Sequence, residues 1–502
     1  MDNLGVFITE YLASISGYYS RQVLVVCAIF VFGAVLTDSI LTAKIPAVRR
    51  ALLAFPVGLS AFIVTAYAMI VAAVPYKTLT VCIAVLIEIT AAVVIRRKSF
   101  AKVSKEQLKH MLIACAAALA AALIACSGIL PVAISNDSMY YFKRYPDCIV
   151  FFEGLRDQFD CWLTDTGLGS VVIDTLPPLF GFGESFGIRE FFHIDFVVFF
   201  AVCVWERAKK YCSAKGAVIT AAVVTVFLMA ATPFLILGHW ALANMYFMEL
   251  FFIAAYTVYD SDDMLEIGSV LLVALSFLRI ESTVFVVWLV LCLALSAKRS
   301  RRLAAYVMLP MAVLFGTYCI RIFTQFYIYD NIYLFLKPVK AVFLVAMIAG
   351  AGIYIAFVQE RLPEGFKKKL PWIYAGGLVL GNLILLIRNS ELYIGDLKAF
   401  AANLFRQSGW GMFPYFVISM TVVLVIEYVL RKEKNEADDF DSFNILLTAG
   451  FLLLTMIASF GRGDVLGENI GDSGNRVMLQ IVPLVVMTYA SLFMRLLPIS
   501  EK

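Results

Sequence analysis

The chain has 502 residues, 62% of them apolar and only 16% charged, with a mean hydropathy of +0.87 and a formal net charge of +4. Soluble domains run at roughly 45–50% apolar and about 25% charged, so an ordinary soluble enzyme is excluded, and no nucleic-acid partner is expected. Apolar stretches of about 20 residues, the length that crosses a bilayer, recur from Arg21 to the C-terminus, which makes this an all-α polytopic membrane protein.

Met1–Ser20 reads as a short amphipathic or irregular lead, without the apolar length or small-residue cleavage site of a removable leader. Candidate spans follow at 22–43, 51–74, 77–95, 110–131, 187–205, 217–238, 244–259, 266–278, 283–297, 303–320, 338–358, 371–388, 412–430, 443–460 and 479–495. The pair 266–278 and 283–297 is short for two crossings and reads also as broken or re-entrant helices, which are tolerated where protein covers the freed backbone groups. The expected total is 13 to 15 helices in one integral-membrane domain, without internal repeats.

Basic clusters set the orientation. Arg96-Arg97-Lys98, Lys298-Arg299-Ser-Arg301-Arg302 and Lys367-Lys368-Lys369 belong on the cytoplasmic side, and segments 44–50, 206–216, 260–266 and 431–442 share it. Segment 260–266 carries acids and no positive charge, against the trend. The large loop 132–186 then lies outside the cell, with the turns at His239 and at Arg279–Glu281 and the loops 321–337, 388–411 and 461–478. Eight of the ten cysteines lie in or beside spans; Cys148 and Cys161 lie in the large loop, and spacing leaves their pairing open.

Chemistry-bearing residues gather on that outer side. Asn136-Asp137 follows the fourth span, where a lipid phosphate would lie, and Tyr140-Tyr141-Phe-Lys143-Arg144 mixes aromatics with cations as interfacial segments do. Asn136 or Asp137 reads equally as a helix cap. His239 stands beside Trp240 in a short turn, Glu249 lies inside the next span, and an intramembrane acid faces a cavity or a partner. Arg279 and Glu281 interrupt an apolar run, either bracing two helices or offering a guanidinium fork to phosphate. Arg476 follows a glycine-rich loop near an expected helix start, the dipole end that disfavours cations, which points to Glu468, Asp472 or a ligand phosphate as its partner.

Ser135-Asn-Asp-Ser-Met-Tyr-Tyr-Phe-Lys-Arg, just outside an early span, resembles the first-loop acidic motif of the GT-C superfamily of membrane glycosyltransferases. Leu163-Thr-Asp-Thr-Gly-Leu-Gly-Ser, Thr175-Leu-Pro-Pro-Leu, the segment from His239 to Glu249 and Gly474-Asn-Arg476 look similar to further segments of that family. The histidine that follows the family's acidic motif is absent, and Asn136 stands where many relatives carry a second acid. The resemblance implies a bundle with a large outer first loop carrying short juxtamembrane helices, in the cell membrane. It implies transfer of a sugar from a polyprenyl-phosphate donor to an acceptor hydroxyl of an envelope glycan, lipid or protein, with inversion. Asp137 is then the general base. Arg279, Arg476 and Lys143 hold the donor phosphate, and Asn136, Tyr140, Tyr141, His239, Glu249 and Glu281 line the substrate. A divalent cation, Mg or Mn, at Asp137 belongs to the same expectation, weakened by Asn136.

Two other classes fit a polytopic chain. A flippase for lipid-linked oligosaccharides, or another transporter, would show internal repeats and polar groups through the bilayer depth. A polymerase or ligase of the O-antigen type would carry its largest loop late in the chain.

Overall fold

The computed structural model describes residues 2–40, 45–96, 105–128, 143–155, 167–182, 186–237, 243–260, 262–296, 300–326, 337–406, 410–430, 439–461, 463–467 and 473–496. All regular structure among them is helical. In chain order the helices are α1 (Asp2–Ile40), α2 (Ala47–Val71), α3 (Thr78–Arg96) and α4 (Lys105–Ala125), then the short α5 (Tyr145–Phe151), α6 (Leu168–Ile173) and α7 (Leu176–Phe180). There follow α8 (Phe186–Ala208), α9 (Ala214–Ala230), α10 (Thr232–Leu237), α11 (Ala243–Asp260), α12 (Leu265–Leu278), α13 (Ser282–Ser296), α14 (Leu309–Phe326) and α15 (Pro338–Ile353). The chain ends with α16 (Leu370–Arg388), α17 (Ser390–Phe405), α18 (Phe413–Leu430), α19 (Asp439–Phe460), α20 (Ser473–Leu479) and α21 (Val482–Leu496).

Among the described residues six helical segments are long and apolar enough to cross a membrane, α2, α16 and α19 among them, and eight shorter apolar helices accompany them. The outer surface of the bundle is itself apolar: Trp372, Leu380, Ile384 and Ile387 on α16, and Ile418, Val422 and Ile426 on α18, are exposed. An apolar face of that extent is stable only against lipid or another protein.

Ion pairs at one end fix how the helices run. Arg49 at the start of α2 pairs with Glu206 near the end of α8 and with Asp260 at the end of α11. Arg207 bonds Asp441 at 3.1 Å and Ser491 at 2.6 Å, while Arg495 pairs with the same carboxylate. Arg302 pairs with Glu266, Arg301 with Glu360, and Arg50 with Asp38. The acids of segment 260–266 thus answer arginines of neighbouring segments. Their lack of positive charge reflects pairing within this charged end, since acids weigh little in topology.

At the other end the first large loop folds onto the bundle. The Tyr76 amide donates to the Glu153 carbonyl at 2.9 Å, the Tyr76 hydroxyl meets Thr175 Oγ1 at 2.7 Å, and the Thr78 hydroxyl donates to the Leu179 carbonyl at 2.6 Å. The short helices α5, α6 and α7 therefore lie along this loop end. Burial pushes the Tyr76 phenol well above its ordinary range, so the hydroxyl stays neutral and available to Thr175.

Between the ends the packing is close and aromatic. Phe285 of α13 stacks on Phe451 of α19 with ring centroids 4.0 Å apart, and Tyr67 of α2 stacks on Phe277 of α12 at 4.1 Å. Helices α1 and α2 cross at Gly33 and Gly58: a Cβ on Gly33 would lie 1.7 Å from the Ala54 carbonyl oxygen. Small residues that let backbones meet are the usual currency of helix association in lipid, where apolar burial alone provides little drive.

The pair α12 and α13 is a largely buried hairpin of 14 and 15 residues with its break at Arg279–Glu281; 14 residues extend about 21 Å. Two sequence expectations change. The lead before the first span is helix, continuous with it through α1. Segment 388–411, read as a loop, contains the helix α17. The Asn389 side chain caps it through the Leu392 amide at 3.1 Å, and Leu392, Asp396, Ala399, Phe400 and Asn403 form its buried face. That spacing puts the buried residues on one face of the helix.

Candidate functional site at the loop end

Helix α8 opens with Arg189-Glu-Phe-Phe-His193-Ile-Asp195. Four ionisable residues in seven positions at the start of an apolar helix are expensive unless partnered. Arg189 reaches Asp174, between α6 and α7, at 2.7 Å, and both side chains are buried. Its guanidinium also lies over the Tyr246 ring of α11, 4.7 Å from the centroid, a cation–π contact in a desolvated setting. One turn deeper, His193 Nδ1 bonds Glu249 Oε1 at 2.7 Å. Glu190 is buried on the same helix, one turn before His193, and Asp195 Oδ2 is buried without a hydrogen-bond partner among the described residues.

The α12–α13 turn lies at the same end. Arg279 Nε pairs with Glu281, and the Arg279 amide donates to Ser282 Oγ at 3.1 Å, closing the turn. Gly167, at the start of α6, sits on that turn: its φ is +83°, and a Cβ there would be 2.6 Å from Arg279 Cα. A Cβ on Gly169 would be 2.6 Å from the Phe277 carbonyl oxygen. The glycines of Thr-Gly-Leu-Gly are therefore where the large loop meets the helix break, a close backbone approach only glycine allows.

The third component is the C-terminal pair α20 and α21. Gln480, between them, donates from Nε2 to Asn244 Oδ1 on α11 at 3.0 Å. Arg476 lies on α20, partly buried. At the fourth of seven positions Arg476 is as near the start of α20 as its end, so the dipole does not decide its partner, and the residue stands at the loop end. Nearby, the Leu466 and Gly467 backbone is tied to α17 through Asp396 and Asn403, each at 3.0 Å.

Arg279, Glu281, Arg476 and Glu249 thus share one end of the bundle. Glu281 is taken by Arg279, and Glu249 is engaged by His193 rather than open to the surface. Lys143 is exposed and pairs with Asp147 at 3.4 Å. Asp137, Asn136, Tyr140, Tyr141 and His239 lie outside the described residues, as does Cys161. Cys148 is partly buried, and burial pushes its thiol above the ordinary range. Among the described residues no group of three or more His, Cys, Asp or Glu side chains is placed to share a metal ion.

Beside this end an apolar groove of about 420 Å³ opens between α1, α3 and α7, with Leu24, Phe32, Val81, Leu86, Leu176 and Phe180 in its walls. Arg21 at its mouth donates to the Gly181 carbonyl. No protein family, curated protein or solved structure matches this chain.

The sequence reading passed over Arg189, Glu190, His193 and Asp195, because 187–205 was apolar enough to count simply as a span. The density of ionisable groups in its first turns was the available signal.

Proposed function

We propose that the protein is a membrane glycosyltransferase of the GT-C type. It moves a sugar from a polyprenyl-phosphate donor to an acceptor hydroxyl at the extracytoplasmic face, with inversion at the anomeric carbon. The observation that carries the reading is the seating of Gly167 and Gly169 on the Arg279 turn. That contact packs residues 167–169, in the loop whose acidic motif prompts the resemblance, against the backbone of the Arg279 turn, at the end of the bundle where buried acids and bases gather.

In this reading Asp137 takes the proton of the attacking hydroxyl. Arg279 and Arg476 offset the charge growing on the departing phosphate, a contribution largest where water is excluded. The isoprenoid chain lies in the apolar groove between α1, α3 and α7. The test is transfer by the purified protein in proteoliposomes, with a labelled polyprenyl-phosphate monosaccharide and envelope acceptors supplied. Sugar transfer that Asp137→Asn lowers at least 100-fold is the expected result. Translocation of the lipid without transfer assigns the chain to the transporters instead, and strict need for an oligosaccharide donor assigns it to the polymerases or ligases.

A further inference from the structure

The His193–Glu249 pair has no part in the reaction as described above, and its geometry suits acid–base work. Glu249, fully buried on α11, occupies His193 Nδ1 at 2.7 Å and so fixes the ring's orientation. The ring also rests on Phe234 of α10, with centroids 5.1 Å apart. Nε2 has no hydrogen-bond partner among the described residues, and 19% of the side chain is accessible. A carboxylate that holds one imidazole nitrogen while the other stays open is the arrangement by which enzymes present a histidine for proton transfer.

The charged groups around the ring are Glu249 from α11 and Glu190 from its own helix. Asp195, two residues on in the same helix, interacts electrostatically with Glu249, and Arg189 meets Asp174. Two carboxylates against the imidazole provide counter-charge for a doubly protonated ring. Were the pair merely structural, two buried apolar side chains would pack the same space without desolvation cost.

We propose that His193 is the proton donor to the departing phosphate, oriented by Glu249 as a positioning residue. This rests on the glycosyltransferase reading. As the acceptor oxygen bonds to the anomeric carbon, its proton passes to Asp137. The bond from anomeric carbon to phosphate oxygen breaks with its electron pair left on that oxygen, which takes the proton from Nε2. The imidazole is left neutral and regains its proton from solvent, to which Asp137 loses its own.

Only three histidines occur in the chain, His110, His193 and His239, so peptide mass spectrometry resolves them. Diethyl pyrocarbonate applied to the wild-type protein in proteoliposomes is expected to acylate His193 and abolish transfer, with polyprenyl-phosphate sugar protecting both. In His193→Gln, kcat should fall about 100-fold or more with the donor KM within about 3-fold, and the fall of wild-type rate at high pH should vanish. A pyrophosphate-linked donor, whose leaving group is less basic, should narrow the deficit at least 10-fold. Glu249→Gln should reproduce the effect in part while leaving His193 reactive to the reagent. An unmodified His193 in active protein, or a His193→Gln enzyme with wild-type rate and pH profile, overturns the assignment alone. Wild-type protein that transfers no sugar from lipid phosphate overturns the glycosyltransferase reading and this assignment with it.

Discussion

Gly167 lies against the backbone of Arg279, close enough that a β-carbon on the glycine would stand 2.6 Å from the arginine Cα. Residues more than a hundred positions apart are thereby locked at one point, and the point is the break between two largely buried helices, α12 and α13. A loop element and a helix turn that share a backbone contact move together. Placement of residues 167–169 and of the Arg279 backbone is therefore coupled.

Gly167→Ala should be among the most damaging single-methyl changes in the protein. It combines a left-handed φ, which costs an L-residue roughly 1–2 kcal/mol, with a contact that forces the backbone apart. Gly350→Ala, inside α15 with open space where the methyl would go, should instead be neutral or stabilise by up to about 1 kcal/mol. Thermal unfolding in detergent, read from intrinsic fluorescence, compares the two. Equal melting temperatures would show that the loop and turn are not locked.

Asp174→Ala should cost about 3–5 kcal/mol, because it breaks a buried ion pair and removes the carboxylate that Arg189 meets at 2.7 Å. The double change Asp174→Leu with Arg189→Met removes both charges and should recover much of that loss. Chemical denaturation of the two variants measures the difference. Full recovery of stability with loss of transfer would separate the pair's role in the site from its role in folding.

The general architecture was legible because a 20-residue apolar run admits few structures. The details that escaped were those where polarity and apolarity share an element. α17 was read as a loop because Ser390, Glu391, Asp396 and Lys398 break its hydropathy, although 392, 396, 399, 400 and 403 repeat at helical spacing. α8 was read as plain span because six phenylalanines in its first 15 residues outweigh Arg189, Glu190, His193 and Asp195 in any average. Pairing across the fold was out of reach altogether. Nothing local to Glu249 says that its partner lies 56 residues earlier, and nothing local to Asp260 or Glu266 says that arginines at 49 and 302 await them.

Gly58→Leu tests the α1–α2 crossing independently of any site. A Cβ on Gly58 would lie 2.2 Å from the Ile29 carbonyl oxygen, so the side chain has no rotamer that avoids the facing backbone. Overpacking costs about 1–3 kcal/mol where a core can yield, and here rigid backbone blocks the relief. The expected result is a melting temperature lowered by several degrees and reduced yield of folded protein. Unchanged stability would mean that the two helices cross elsewhere.

Sidedness decides more than any other single measurement. The pairs Arg49–Glu206, Arg207–Asp441 and Arg302–Glu266 put one set of helix ends together, and the contacts of Tyr76, Asp174 and Gln480 put the other set together. The bundle therefore has two distinct ends whatever its orientation. The excess of basic residues at the first end predicts that it faces the cytoplasm. In a background lacking the native cysteines, Asp464→Cys at the loop end should react with a membrane-impermeant maleimide on intact cells. Glu364→Cys at the charged end, whose side chain is 80% exposed, should react only after permeabilisation. The reverse pattern would put Arg279, Arg476 and His193 in the cytoplasm. An extracytoplasmic acceptor would then be out of reach, and transfer at the outer face would have to be abandoned.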